Sequence, residues 1–192
     1  MISAVIVGGG PVALRKATAL INSGAHVHLV ALDVIPELTK LAADRRALRI
    51  TREAYQATHI GDATLVVAAT NDRDVNARIA RDARVQGKLV NVADTPDLGN
   101  FVTPAVHRSG DVLIAVSAGR VPAAAVRIRD AAARSIDQRY ADAIRELAAL
   151  RRSLLDAGER DRWKEACAAL VGEDFSAQVE GGEFPAKVAA WR

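Results

Sequence analysis

A doubly wound parallel α/β sheet, followed by a small α/β segment and an α-helical C-terminal region, is the fold class this sequence predicts. Three observations carry that expectation. Apolar residues Val5-Ile6-Val7 run straight into the turn Gly8-Gly9-Gly10, and a helical pattern with no further glycine opens at once. Strand-like and helix-like segments then alternate through the first half of the chain. After Pro96 the rhythm changes to two more strand-like runs, and from there to helical segments only.

Taken in order, residues 3–7 read as the first strand and 11–23 as the first helix, closed by Gly24 just past its end. Residues 27–31 are the second strand. A helix over 35–43 follows, with Pro36 in its first turn. Residues 48–52 make a short third strand. The run Thr64-Leu65-Val66-Val67-Ala68-Ala69 has the length and continuous apolarity of a strand at the sheet centre. Thr70-Asn71-Asp72 supplies capping chemistry for a helix over 73–86, with Val75, Ile79, Ala83 and Gln86 near one face. Gly87 ends that helix, and 89–92 is the fifth strand. Residues 101–104 and 111–116 read as two further strands joined through 107–110. Helical segments follow over 123–135, 136–157 and 159–171, with a weaker one from Phe175. The organisation expected is 1–103 as a nucleotide-binding domain, 104–135 as a middle segment and 136–192 as a helical C-terminal domain.

Composition bounds the function. Hydrophobic residues make up 50% and charged residues 26%, a globular balance, while aromatics at 4% leave the core to small aliphatic side chains. Lys and Arg number 26 against 23 Asp and Glu, an excess too small to argue for nucleic acid. No apolar run approaches the roughly 18 residues of a membrane span, and the N-terminal stretch lacks the basic region of a signal peptide. Cys167, the one cysteine, has no CxxC or Cys/His partner and fits a reducing cytoplasm.

The turn Gly8-x-Gly10-x-x-Ala13 is the order of residues that dinucleotide binding needs. Gly8 permits a tight strand-to-helix turn, Gly10 lets the backbone approach a pyrophosphate, and Ala13 lets the helix pack close on the strand of a Rossmann-like fold. Asp33, past the end of the second strand, is placed to hold ribose hydroxyls or to cap a helix. No arginine sits at that strand tip for a 2′-phosphate, which favours NAD over NADP. Thr70 and Asn71 contact the ribose or nicotinamide region, or cap the next helix. Asp94, after the fifth strand, is a proton acceptor at the sheet edge or a turn-former before Thr95-Pro96. Arg120, Arg127, Arg129, Arg134 and Arg139, opposed only by Asp130 and Asp137, form a solvated face or a site for an anionic small molecule. His26, His28, His59 and His107 have no metal-ligand spacing, so no metal site is expected.

Together these residues resemble the bifunctional precorrin-2 dehydrogenase/sirohydrochlorin ferrochelatase family of sirohaem biosynthesis. The matching segments are Val7 to Lys16, Ala68-Ala69-Thr70-Asn71-Asp72 with Val75-Asn76, Asn91-Val92-Ala93-Asp94, Phe101-Val102-Thr103-Pro104-Ala105, Ala115 to Gly119, and the helical Gly158 to Trp163. The resemblance implies NAD-dependent oxidation of precorrin-2 to sirohydrochlorin and, in many members, insertion of ferrous iron as a second substrate. It implies a homodimer contacting through the middle segment, with the tetrapyrrole between the cofactor domain and the dimerisation and helical regions. Pro11, Val12, Leu32 and Asp33 match positions that contact NAD, and Asp94 matches the family's key carboxylate. Arg15, Ser117, Arg120 and Arg127 are the candidates for binding the substrate's carboxylates. The chain departs from the family at Ala118, Arg120 and Val121, where small or hydroxyl-bearing residues are usual, which leaves chelation less secure than oxidation. The methyltransferase domain fused in some relatives is expected to be absent. The rival class is a non-enzymatic NAD-sensing module acting through the helical tail.

Overall fold

The structure is a computed structural model, and it describes residues 2–119 and 121–192. The chain divides at Thr103/Pro104 into two compact units. The first is a five-stranded parallel sheet: β1 (Ser3–Val7), β2 (His26–Val30), β3 (Leu48–Thr51), β4 (Leu65–Ala68) and β5 (Leu89–Val92), in the spatial order β3-β2-β1-β4-β5. The helices between them are α1 (Pro11–Asn22), α2 (Pro36–Asp44) and α3 (Arg73–Val85). β1 pairs with β2 from Ser3↔His26 to Val7↔Val30, and with β4 from Ala4↔Leu65 to Val7↔Ala68. The winding therefore reverses between β1 and β4, which opens a crevice at the carboxyl ends of those strands.

Burial explains the ordering. β1 and β4 lie inside the sheet and are covered on both faces, so every second residue faces a different core. Ile6 and Val67 pack with Ala13 and Ala17 of α1 and Leu38 of α2. Val5, Val66 and Val92 pack with Ile79 and Ala83 of α3. On α1 the buried stripe is Ala13, Ala17 and Ile21, an i, i+4, i+8 row whose small residues allow close approach to the sheet. On α3 the stripe is Asn76, Ile79, Ala80 and Ala83. Gln86, expected on that face, is the exposed C-cap, and the polar Asn76 takes the buried end instead.

The expected strand over 101–104 is corrected. Residues 99–101 run along the outer edge of β5: the N–H of Asn100 donates to the Val90 carbonyl at 2.9 Å, and the Asn100 amide pairs with Val90 N–H and the Lys88 carbonyl. Pro104 has no N–H to give a ladder, so the strand begins after it. The second unit opens with β6 (Ala105–Ser109) and β7 (Val112–Val116), an antiparallel pair turning at Gly110-Asp111. Four further helices and a first one packed on the hairpin follow: α4 (Pro122–Ser135), α5 (Gln138–Asp156), α6 (Arg160–Leu170), α7 (Phe175–Gly181) and α8 (Phe184–Ala189). The tail after Gly172 is ordered by burial. Tyr140, Leu147, Leu150 and Leu154 of α5 enclose Phe184 and Val188 of α8, and Phe175 stacks edge-on to Phe184 at 5.2 Å between ring centroids. No helix among the described residues is long and apolar enough to cross a membrane.

Candidate functional site

The turn after β1 is shaped by contacts that only glycine allows. Gly8 has φ +126°, and a Cβ there would lie 2.2 Å from the Ala69 carbonyl oxygen. A Cβ on Gly9 would lie 1.9 Å from the carbonyl oxygen of Asp33, because the loop after β2 crosses over it and Ile35 N–H bonds to the Gly9 carbonyl at 3.0 Å. Gly10 differs: nothing lies within 4 Å of its Cβ position. It is the N-cap of α1 and offers no side-chain cap, Pro11 follows at the first helical position, and the first turn carries no acidic residue. An open, uncapped, acid-free helix N-terminus behind a glycine turn fits a pyrophosphate.

That turn floors a cavity of about 780 Å³. Gly8, Gly10, Pro11 and Val12 line it from the first crossover, Leu32 and Asp33 from the end of β2, and Thr70 and Asn71 from the end of β4. The structure thus brings together all eight residues expected at the coenzyme. Leu32 is 69% exposed, an apolar side chain left uncovered at the cavity wall. Asp72, not Thr70 or Asn71, caps α3: its Oδ1 accepts the N–H groups of Asp74 at 2.9 Å and Val75 at 3.1 Å. Tyr55 and Arg78 also line the cavity, and sequence reasoning missed them. The Arg78 guanidinium lies 5.3 Å from the Tyr55 ring centre and donates to the Tyr55 carbonyl, while the Tyr55 hydroxyl donates to Asp82. Burial, first, and that bond to Asp82 raise the proton affinity of the phenol well above its ordinary value.

Asp94 stands just past β5 and does not itself line the cavity. It is joined to it through Asn76, which is 1% exposed. Asn76 Oδ1 accepts from Thr70 N–H at 3.1 Å and faces Thr70 Oγ1 at 2.7 Å. Its Nδ2 donates to the Thr70 carbonyl at 3.1 Å and to Asp94 Oδ1 at 3.1 Å. The other carboxylate oxygen lies 4.0 Å from Arg73 Nε, and the Asp94 side chain is 33% exposed.

The candidate substrate residues are more scattered. Arg15 is exposed on α1; Ser117, just past β7, and Arg127, on α4, are exposed in the second unit. Arg120 lies outside the described residues. Of the other arginines in that cluster, Arg129 bonds Asp130 and the Val106 carbonyl, and Arg139 grips Asp137 and the Glu180 carbonyl. Those two are structural. His28 and His59 lie in a separate cavity of about 620 Å³ beside Arg49 and Glu53. No group of three or more His, Cys, Asp or Glu side chains suited to a metal ion occurs among the described residues.

Residues 2–105 match the family model NAD_binding_7, whose description is NAD(P)-binding. The chain belongs to this NAD(P)-binding family. Its first unit is an NAD(P)-binding domain, and the glycine turn and uncapped α1 are the parts that suit the coenzyme's phosphates. Among curated relatives the chain is 39% identical to a siroheme synthase of Methylococcus capsulatus over 153 residues, which is 79% of this chain and 32% of that protein. It is 37% identical to a siroheme synthase of Nitrosomonas europaea over 114 residues, 59% of this chain and 24% of that protein. The chain therefore spans about a quarter to a third of the length of these relatives. Among solved structures it is similar to SirC, precorrin-2 dehydrogenase, with a TM-score of 0.79 and 25% identity over 98% of this chain and 94% of that one.

Proposed function

We propose that this protein is an NAD-dependent precorrin-2 dehydrogenase that produces sirohydrochlorin. The observation that carries the reading is Asp94, a partly exposed carboxylate at the carboxyl edge of the sheet, tied by one buried amide to a threonine that lines the coenzyme cavity. Similarity to a precorrin-2 dehydrogenase along 98% of the chain supplies the substrate.

Each group has a part. The N-terminal N–H groups of α1 and the Gly8–Gly10 backbone hold the pyrophosphate, Asp33 takes the adjacent ribose hydroxyls, and Leu32 lies against the adenine. The absence of an arginine at the β2 tip, with Arg78 held by Tyr55, favours NAD over NADP. When bound, the nicotinamide supplies the two-electron acceptor. Of the two hydrogens that leave precorrin-2, one departs as a proton, and the Asp94 carboxylate, or a water it orients, accepts it. Arg15, Ser117 and Arg127 are exposed donors proposed for the carboxylates of the tetrapyrrole. The reading extends to a homodimer contacting through the middle segment.

The test is an assay of the purified protein with NAD and enzymatically made precorrin-2, following NADH and the sirohydrochlorin spectrum. Asp94→Ala is expected to lower turnover by about 10²–10⁴-fold, the range for loss of a general base, with NAD affinity near that of the unaltered protein. NADH formation no faster than spontaneous oxidation in the unaltered protein would transfer the argument to an NAD-sensing module. The relatives' name, siroheme synthase, favours a second reading in which ferrous iron is inserted into the product as a substrate. Anaerobic incubation with sirohydrochlorin and ferrous iron decides it, since loss of the metal-free spectrum at only the uncatalysed rate would leave oxidation alone.

A further inference from the structure

A buried amide at position 76 needs an explanation that the fold itself does not provide. The rest of the α3 stripe is Ile79, Ala80 and Ala83, so an apolar residue would continue it. The helix start is already capped by Asp72, so Asn76 is not needed there. Burying an amide costs about 1–3 kcal/mol unless its hydrogen bonds are replaced. Here they are replaced. Oδ1 accepts the Thr70 N–H and lies 2.7 Å from Thr70 Oγ1, whose one proton is shared between it and the Asp72 carbonyl, and both hydrogens of Nδ2 are used, one on the Thr70 carbonyl and one on Asp94. Flipping the amide would set its oxygen against the Thr70 carbonyl and a carboxylate, so a single orientation survives.

The arrangement has a consequence for Asp94. That residue sits in a bend past the end of β5, where its exposed side chain would otherwise rotate. Asn76 holds Oδ1 at 3.1 Å and makes no bond to Oδ2, which has the largely exposed Arg73 guanidinium 4.0 Å from it. The same amide grips both backbone groups of Thr70 at the cavity wall, as a neighbouring strand would. We infer that Asn76 is a positioning residue that locks the Asp94 carboxylate in one orientation relative to the coenzyme cavity, with Oδ2 presented to the substrate. The inference rests on the reading of Asp94 as the proton acceptor.

The experiment uses the full chain with NAD and precorrin-2, and compares Asn76→Leu, Asn76→Asp and Asp94→Ala with the unaltered protein. Asn76→Leu keeps the number and branching of the side-chain heavy atoms and suits the apolar stripe. Asn76→Asp keeps acceptors for Thr70 but loses the donor to Asp94. Both are expected to lower kcat by about tenfold or more while the dissociation constant for NAD changes by less than about threefold, the signature of an interaction used in the reaction step. Thermal melting and NAD titration identify which variants are folded. A folded Asn76 variant with unaltered kcat, or one whose loss is wholly in NAD affinity, would overturn the inference while Asp94→Ala stays inactive. Normal turnover by Asp94→Ala would overturn the functional reading and this inference together.

Discussion

A methyl group on Gly9 would sit 1.9 Å from the carbonyl oxygen of Asp33, whereas one on Gly10 would meet nothing within 4 Å. The two adjacent glycines therefore differ: the folded chain requires the first, and the second is proposed to serve the ligand. Gly9→Ala is expected to lower both the melting temperature and NAD affinity, because the loop carrying Leu32 and Asp33 must move off the turn. Gly10→Ala should melt near the unaltered protein yet weaken NAD binding by about tenfold or more, since the methyl group occupies space that suits the phosphates. Melting curves paired with NAD titrations check both; equal melting temperatures for the two variants would defeat the distinction. The glycine spacing alone marked Gly8 and Gly10 and passed over Gly9, whose constraint comes from the loop after β2, which crosses it 24 residues later in the chain, at Asp33. Asn76 was hidden for a similar reason. Its partners Thr70 and Asp94 lie six and eighteen residues away and meet it only once β4, α3 and β5 are assembled. Asp94, the proposed proton acceptor, stood out because it lies two residues past a strand end, where a parallel sheet places its ligands.

The elements themselves were legible wherever burial is two-sided or a cap is local. β1 and β5 coincide with the expected spans, and the helices from α1 to α6 agree to within a residue or two, because apolar runs, Pro36 and Asp72 mark them in the sequence, whereas the single segment expected from Phe175 is two helices, α7 and α8. The run at 101–104 misled because its apolar residues serve an irregular segment held by the Asn100 and Asn91 amides, which are polar signals with no strand periodicity. Histidines on β2 and in the loop after β3 also carried no spacing signal, yet one of them ties two strands together. His28 Nε2 donates to Thr51 Oγ1 at 2.8 Å and Nδ1 accepts from Arg49 at 3.0 Å, which requires the neutral ring. Burial, then the Arg49 charge, then His59 lower its proton affinity below the ordinary 6.5, with Glu53 opposing. The unfolded chain thus binds this proton more tightly. The stability His28 contributes is present above about pH 6.5 and is lost as pH falls through the lowered folded value. Melting temperature should fall between about pH 7.5 and about pH 5.5, and His28→Gln should flatten part of that dependence. An identical slope in the variant would show that other groups carry it.

At the scale of the whole molecule, the second unit presents a face that its own core does not use. Along β6 and β7 alternate residues point inward, and the outward set includes Val106 and Leu113, 45% and 51% exposed, with Ile128 of α4 also uncovered. A two-stranded sheet is marginal by itself. α4 contacts both strands of this hairpin, and the outward set, Val106, Arg108, Leu113 and Ala115, is apolar apart from Arg108. Exposed apolar residues gathered on one face of a small sheet mark an interaction surface more often than a solvated one. The proposed homodimer gives that face an occupant, since a second copy carries the same surface and a two-fold axis pairs like with like. Sedimentation equilibrium is expected to give twice the 20.4 kDa chain mass for the unaltered protein and the single-chain mass for the double variant Val106→Asp, Leu113→Asp. Because both side chains already face outward, the substitutions place charge where water reaches it in the monomer and where a partner would desolvate it in the dimer. Each folded unit should therefore persist while the mass halves. A single-chain mass for the unaltered protein, or an undiminished mass for the variant, would leave this face without the role proposed for it.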